Sequence, residues 1–144
     1  MSGSVLCAVD VSLPAVDTVV LQKAAKLAAM EGATLDVITV IPDFGMSVVG
    51  SFFDKTHTDQ AMEEAKAALN TLCTDVLGVE ANAKVRHLVA VGTAYEEILK
   101  TSVAAGSELI VIGAHKPDFK DYLLGPNAAR VARHATVSVH IVRS

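Results

Sequence analysis

The chain has 144 residues, with 12 basic and 16 acidic side chains and a formal net charge of −4. This length is typical of one domain that buries its core without a disulfide or metal staple, so we expect a single domain over 1–144. Hydrophobic residues make up 51% of the chain, which excludes a disordered protein. The 4% aromatic content and the negative charge argue against nucleic-acid binding.

The charge distribution indicates where an anionic ligand would bind, and the cysteines indicate the redox state of the compartment. Residues 1–110 carry seven basic and fourteen acidic side chains, whereas residues 111–144 carry five and two, so an anion site is expected near the C-terminus. Cys7 in an apolar run and Cys73 on a helical face are typical of buried thiols in a reducing compartment. No signal peptide and no membrane span can be identified, so we expect a cytoplasmic protein without membrane insertion.

The first half of the chain alternates between apolar runs and a helical period. Residues 5–9 predict a strand, residues 14–30 a helix, and residues 34–40 a second strand that ends before Pro42. The helix positions expected to face the core are Val16, Val19, Val20, Leu27 and Met30. Residues 43–55 hold two glycines and exposed-looking apolar side chains, and we expect a mobile flap there, either a contact surface or a lid.

The second half continues the alternation. Helices are predicted over residues 58–77, 93–105 and 127–134, and strands over residues 83–89, 109–113 and 137–142. Thr93 and Glu96 have the spacing of a capping box at the start of the middle helix. Five strands separated by helices predict an α/β domain around a parallel sheet.

In open α/β sheets, ligands bind beyond the carboxyl ends of the strands, and Asp10 follows the first strand directly. Its carboxylate is expected to bind ligand, with a helix cap as the alternative. No second carboxylate is identified beside Asp10 that could share a metal ion, and the scattered histidines lack metal-ligand spacing.

The segment from Gly113 to Gly125 is the strongest candidate for an anion site. It leaves a central strand, carries His115 and Lys116, and enters a helix at Pro126. A helix N-terminus offers unpaired N–H groups and partial positive charge, and a preceding glycine allows close approach of a phosphate. An ordinary helix entry with Gly125 as a turn residue is the alternative.

These motifs resemble those of the universal stress proteins over nearly the whole chain. The matching features are Asp10, the segment 40–42, residues 92–94, the run 108–113 and the Gly113 to Gly125 loop. The sequence around His115 and over residues 122–129 is similar to that of short bacterial members of the family that bind nucleotide. The resemblance implies a three-layer Rossmann-like (adenine nucleotide alpha hydrolase-like) fold with helices on both faces and strand order 3-2-1-4-5.

The resemblance also implies ATP or another adenine nucleotide, with or without Mg²⁺, bound across the strand ends. Asp10 would face the adenosine, the Val40 backbone the adenine, and Gly113 the ribose. The nucleotide-binding residues that it implies are Asp10, Ser12, Val40, Gly113, His115, Lys116, Gly125, Pro126, Asn127 and Ala128. The chain departs from the family pattern where Lys116 replaces a glycine, where one residue is missing before Gly125, and where Pro126 replaces Ser or Thr and offers no N–H.

We therefore expect a nucleotide-binding stress-response or regulatory module. Turnover should be slow or absent, because the chain has no P-loop motif and His115 is the only candidate catalytic group. The alternative is an interaction module of the same fold that has lost nucleotide binding through Pro126. The last predicted strand, residues 137–142, leaves an uncovered edge, and the resemblance likewise implies a homodimer through it.

Overall fold

A computed structural model describes residues 3–11, 14–42, 55–114 and 126–143. The strands are β1 (Ser4–Ala8), β2 (Thr34–Pro42), β3 (Arg86–Gly92), β4 (Ser107–Gly113) and β5 (Ser138–Val142). The helices are α1 (Pro14–Glu31), α2 (Lys55–Leu77), α3 (Val79–Asn82), α4 (Ala94–Ala105) and α5 (Pro126–His134). Apart from Lys55, which begins α2, the expected flap over residues 43–55 lies outside the described residues.

The five strands form one parallel sheet in the order β3-β2-β1-β4-β5, which confirms the predicted fold class and strand order. Because β1 is central, the chain moves from β1 to one side of the sheet for β2 and β3, then crosses to the other side for β4. The strand order therefore reverses between β1 and β4, which is where folds of this kind bind ligands.

Side chains of β1 alternate between two hydrophobic clusters, one on each face of the sheet. Val5 and Cys7 pack with residues of α1 and α2, whereas Leu6 and Ala8 pack with residues of α4 and α5. Both cysteines are fully buried in the first cluster, as predicted. Burial raises the pKa of the Cys73 thiol to about 11, and burial also raises that of Cys7.

The face of α1 that meets the sheet differs in part from the predicted one, although Val20 is buried and Leu27 packs against the core as predicted. Val19 and Met30 are exposed, by 42% and 77%, so their assignment to the core face was wrong. The buried positions, which repeat at intervals of three and four residues, are Asp17, Val20, Leu21, Ala24 and Ala28. The helix is thus rotated about its axis relative to the prediction, and a carboxylate lies on its buried side.

The third strand begins three residues later than predicted. The short helix α3 was not predicted, and the residues after it continue as turns in which Lys84 N–H donates to Ala81 O at 3.1 Å and Val85 N–H to Asn82 O at 3.0 Å. Turn geometry therefore occupies residues 83–85, and the strand extends instead through Gly92.

The start of α4 lacks the predicted capping box. Thr93 occupies the N-cap position with extended dihedral angles, but its side chain makes no cap hydrogen bond. Glu96 is exposed, and the Tyr95 hydroxyl donates to its carboxylate at 3.4 Å. Among the described residues, no helix is long and apolar enough to cross a membrane.

Candidate functional site

Three of the predicted site residues meet at the carboxyl edge of the sheet, on adjacent strands. Ala8 pairs with Ile38 of β2 and with Ile112 of β4. Asp10, two residues after Ala8, therefore reaches the edge at the level of Val40 on one side and just beyond Gly113 on the other. The Asp10 side chain is exposed, Val40 is half-buried and Gly113 is buried.

The carboxylate of Asp17, which the sequence analysis did not single out, contacts the backbone of Asp10. The Asp10 N–H donates to the Asp17 Oδ2 at 2.6 Å. Asp17 is only 1% exposed and stands in the first turn of α1. This residue was missed because the predicted core face of α1 did not include it. The available signal was an acidic residue in the first turn of the helix that follows the first strand, because such a residue can accept hydrogen bonds from backbone N–H groups near the helix N-terminus.

The buried Asp17 carboxylate also acts on the neighbouring core. After burial itself, the charge of Asp17 is the next cause that raises the pKa of the Cys7 thiol, followed by Cys73. A thiol with a raised pKa is poorly nucleophilic, so Cys7 has the properties of a structural residue. The buried carboxylate of Asp17 therefore places negative charge next to the carboxyl end of β1.

The first turn of α5 carries the other described candidate residues, Pro126, Asn127 and Ala128. Pro126 and Asn127 are exposed, whereas the Ala128 side chain is 2% exposed and packs in the second cluster. Only the backbone of Ala128 is thus available to a ligand. The first turn of α5 contains no acidic residue, whereas that of α1 contains Asp17 and that of α4 contains Glu96 and Glu97.

Aromatic and basic side chains join α4 to α5 next to this turn. The Arg130 guanidinium carbon lies 5.1 Å from the centre of the Tyr95 ring, and the rings of Tyr95 and His134 stack with centroids 6.3 Å apart. Cation–π contacts of this kind contribute about 0.5–1 kcal/mol at exposed sites. Arg130 is therefore held against α4 rather than extended freely into solvent.

The remaining predicted ligand residues lie outside the described part of the chain. These are Ser12, His115, Lys116 and Gly125. Within the described ranges, no three His, Cys, Asp or Glu side chains form a group that could hold a metal ion. Asp10 and Asp17 are linked through the Asp10 backbone N–H, which donates to the Asp17 carboxylate.

Comparisons with known proteins bear on the whole chain. The family model described as the universal stress protein family matches residues 1–143. Universal stress protein A homolog 1 of Coxiella burnetii is 30% identical over 138 residues, which cover 94% of this chain and 92% of that protein. Universal stress protein G of Shigella flexneri is 33% identical over 60 residues, so the match spans only 42% of its length and of this chain.

Solved structures share the same fold. The structure of MJ0577 from Methanocaldococcus jannaschii has a TM-score of 0.80 at 23% identity, covering 100% of this chain and 97% of that one. A universal stress protein from Archaeoglobus fulgidus in complex with dAMP has a TM-score of 0.62 at 18% identity, covering 98% and 97%. With this fold, and with a family model that matches all but the last residue, the chain belongs to the universal stress protein family.

Proposed function

We propose that the carboxyl edge of the sheet binds ATP, with any Mg²⁺ carried on its phosphates, and that the protein acts as a regulatory stress-response module in the cytoplasm. The observation that carries this proposal is the meeting of Asp10, Val40 and Gly113 at the point where strand order reverses. The dAMP complex of the Archaeoglobus fulgidus protein supports an adenine nucleotide as the ligand class.

The described residues fit the two chemically different ends of a nucleotide. The exposed carboxylate of Asp10 can accept hydrogen bonds from sugar hydroxyl groups, and the backbone of Val40 lies within the same edge. The first turn of α5 has no carboxylate to repel phosphate. Ser12, His115, Lys116 and Gly125 complete the proposed set on sequence grounds, with the basic pair facing the phosphates.

We expect binding without appreciable turnover. The sequence carries no P-loop motif, and His115 is the only candidate for a base that activates water. Asp17 is engaged by the Asp10 backbone and is nearly inaccessible, which argues against it as a general base. A regulatory role then rests on the bound state itself, because a partner that recognises only the loaded form senses nucleotide concentration.

Isothermal titration calorimetry with ATP, AMP and adenosine tests the proposal. We expect ATP to bind, and at about 100 times its Kd to add about 2.7 kcal/mol to the free energy of unfolding. Asn127→Asp places a carboxylate in the first turn of α5 and should weaken ATP binding roughly 10-fold while sparing adenosine. Gln22→Glu, an equal charge change on the exposed side of α1, is the matched control.

A second candidate is an interaction module of the same fold that binds no nucleotide. Pro126, the first residue of α5, favours it, because proline supplies neither a hydroxyl nor an N–H at the phosphate end. Absence of heat and of thermal stabilisation with millimolar ATP would select this candidate. In either case we propose a homodimer through the edge of β5, since the described chain covers that edge with no further strand.

A further inference from the structure

We propose that the outer edge of β3, together with the cavity beside it, binds an extended segment of a partner protein. The segment adds to the sheet as an antiparallel strand. It carries a basic and an acidic side chain toward α2, two residues apart, with an apolar residue between them. None of the proposed nucleotide-binding residues takes part, so the inference does not depend on the proposed function.

A cavity of about 410 Å³ lies at this edge of the sheet. Four consecutive residues of β3, residues 87–90, line it. Because strand side chains alternate between the two faces, the cavity extends around the strand from the α2 face to the α4 face. Met62, Glu63 and Lys66 of α2 line one side, and Thr101 of α4 lines the other.

The outer edge of β3 offers backbone groups to a further strand. In an edge strand, alternate residues direct their N–H and C=O groups away from the paired neighbour. Among the described residues, β3 pairs with β2 alone, and no backbone group outside these two strands forms a hydrogen bond with residues 87–90. The seven residues of β3 include no proline and their register with β2 has no bulge, so two features that commonly block such an edge are absent from it.

Two opposite charges on α2 face this edge one helical turn apart. Glu63 and Lys66 are exposed, and neither forms a hydrogen bond or an ion pair with another described residue. Because α2 leads from the end of β2 back toward the start of β3, it runs opposite to the strands, and Lys66 lies nearer the amino end of β3 than Glu63 does. In agreement with this position, burial, followed by the positive charge of Lys66, lowers the pKa of His87.

These charges match a strand that carries the opposite charges on one face. Residues two apart in a strand point to the same side about 6.8 Å from each other, and three residues of helix span about 4.5 Å, a difference that the long Glu and Lys side chains can bridge. The residue between the two charges then points toward α4, where Ile38 and Leu88 offer an apolar surface.

The direction of the added strand fixes the order of its charges. Antiparallel pairs are the more stable per residue, and many parallel sheets carry an antiparallel edge strand. An antiparallel strand starts at the carboxyl end of β3. Its basic residue therefore comes first, opposite Glu63, and its acidic residue comes second, opposite Lys66.

Two peptides of the same composition test the inference, acetyl-Thr-Lys-Val-Asp-Val-Thr-amide and acetyl-Thr-Asp-Val-Lys-Val-Thr-amide. Each is added up to millimolar concentration to the ¹⁵N-labelled protein while the backbone amide resonances are followed. We expect the first peptide to shift the amides of residues 87–90. It should bind at least roughly threefold more tightly than the second, which places like charges opposite Glu63 and Lys66.

Exchanging the two charges of α2 should reverse this preference. In the double variant Glu63→Lys with Lys66→Glu, the second peptide should bind more tightly than the first by a similar factor. Glu64→Lys with Ala67→Glu is the matched control, because it introduces the same two side chains one position along α2, on exposed residues that do not line the cavity. The control should keep the wild-type preference.

Several results would overturn the inference. One is that neither peptide shifts the amides of residues 87–90, and another is that the wild type prefers the second peptide. A preference that stays the same in the charge-exchanged variant also excludes the proposed pairing. Shifts confined to β5 would place the peptide at the other edge of the sheet. Amides of residues 87–90 that respond to protein concentration and not to peptide would assign this edge to a second copy of the chain.

Discussion

At the residue scale, the best-connected polar side chain outside the candidate site is Asn82. Its Nδ2 donates to Asn70 Oδ1 at 2.8 Å and to Thr74 Oγ1 at 2.9 Å, which leaves its Oδ1 as an acceptor, 2.7 Å from His87 Nε2. The neutral His87 ring must therefore carry its proton on Nε2. This network joins α2 and α3 to β3 through buried hydrogen bonds, which are costly to leave unpaired.

His87 should make stability depend on pH. Partial burial, followed by the positive charge of Lys66, lowers the pKa of His87, although Glu63 lines the same cavity of about 410 Å³. The native state thus favours the neutral ring, and the unfolded chain takes up the proton first. Stability should be highest above about pH 6.5 and fall as the pH drops toward the native pKa of His87.

Urea unfolding between pH 5 and pH 8 measures this dependence. His87→Gln should flatten the change in unfolding free energy below about pH 6.5. Thr101→Ser, which lines the same cavity and changes no titratable group, is the control and should keep the wild-type profile in this range. A wild-type profile in His87→Gln would contradict the assignment.

The residue scale also shows where sequence patterns were insufficient. Apolar spacing alone selected Val19 and Met30 for the core face of α1, whereas the face that packs is rotated and includes Asp17. Helical periodicity cannot separate two overlapping apolar stripes when a helix is rich in alanine and valine on several sides. A buried carboxylate is disfavoured by any hydrophobic pattern, so the hydrogen bond to Asp10 became evident only from tertiary structure.

At the scale of elements, the junction between β3 and α4 depends on Gly92. This residue has φ of 148°, and a Cβ atom there would lie 3.0 Å from Glu97 Oε2 and 3.1 Å from its Cγ. The Glu97 side chain folds over the glycine and its carboxylate lies 3.5 Å from Lys100 Nζ. Gly92 therefore adopts a backbone angle that other residues rarely adopt at the entry to α4, where no capping box is formed.

Gly92→Ala should lower the free energy of unfolding by about 1–3 kcal/mol, because both the backbone angle and the contact with Glu97 become unfavourable. Adding Glu97→Ala to Gly92→Ala should recover only the part of the lost free energy of unfolding that is due to the contact with Glu97. Gly32→Ala supplies the reference for a positive φ in open space, since nothing lies within 4 Å of its Cβ position and its φ is 64°. Urea unfolding of the four proteins measures each part, and an unchanged Gly92→Ala would refute the explanation.

At the scale of the whole molecule, the alternation of strands and helices predicted an α/β domain around a parallel sheet, whereas the strand order came from the resemblance to the universal stress proteins. The five strands and their order are as expected, and α2 buries Ala65, Leu69 and Leu72 at spacings of four and three residues. The start of β3 was misplaced because residues 83–85 look extended in sequence but belong to turns after α3. The placement of Asp10, Val40 and Gly113 at one edge of the sheet was predictable, since all three lie at or near strand ends. Their role in binding stays a prediction.

The proposed dimer through β5 also belongs to the scale of the whole molecule, and the geometry of this strand allows a sharp test. Val142 O accepts a hydrogen bond from Ala114 N at 2.8 Å, so the backbone polar groups of Val142 face β4. Orientation alternates along a strand, and the N–H of Ile141 therefore points away from the sheet. Ile141→Pro removes this outward donor without removing a bond to β4, and proline is tolerated at such edge positions.

Light scattering coupled to size-exclusion chromatography should find a dimer for the wild type and a monomer for Ile141→Pro. Ile141→Thr is the control, because it loses the same apolar side chain from the second cluster but keeps the N–H. A monomeric wild type, or a dimeric proline variant, would rule out pairing through this edge.

The central position of β1 should make its amide protons slow to exchange with solvent. Its five residues are all buried, and its side chains contribute to both clusters. A strand shared in this way is exposed to deuterium only when the two layers separate, so its amide protons should exchange at the rate of global unfolding. Asp10 follows this strand, whose amide protons should exchange most slowly. We therefore expect the backbone position of Asp10 to be fixed when the protein folds and to change little when a ligand binds.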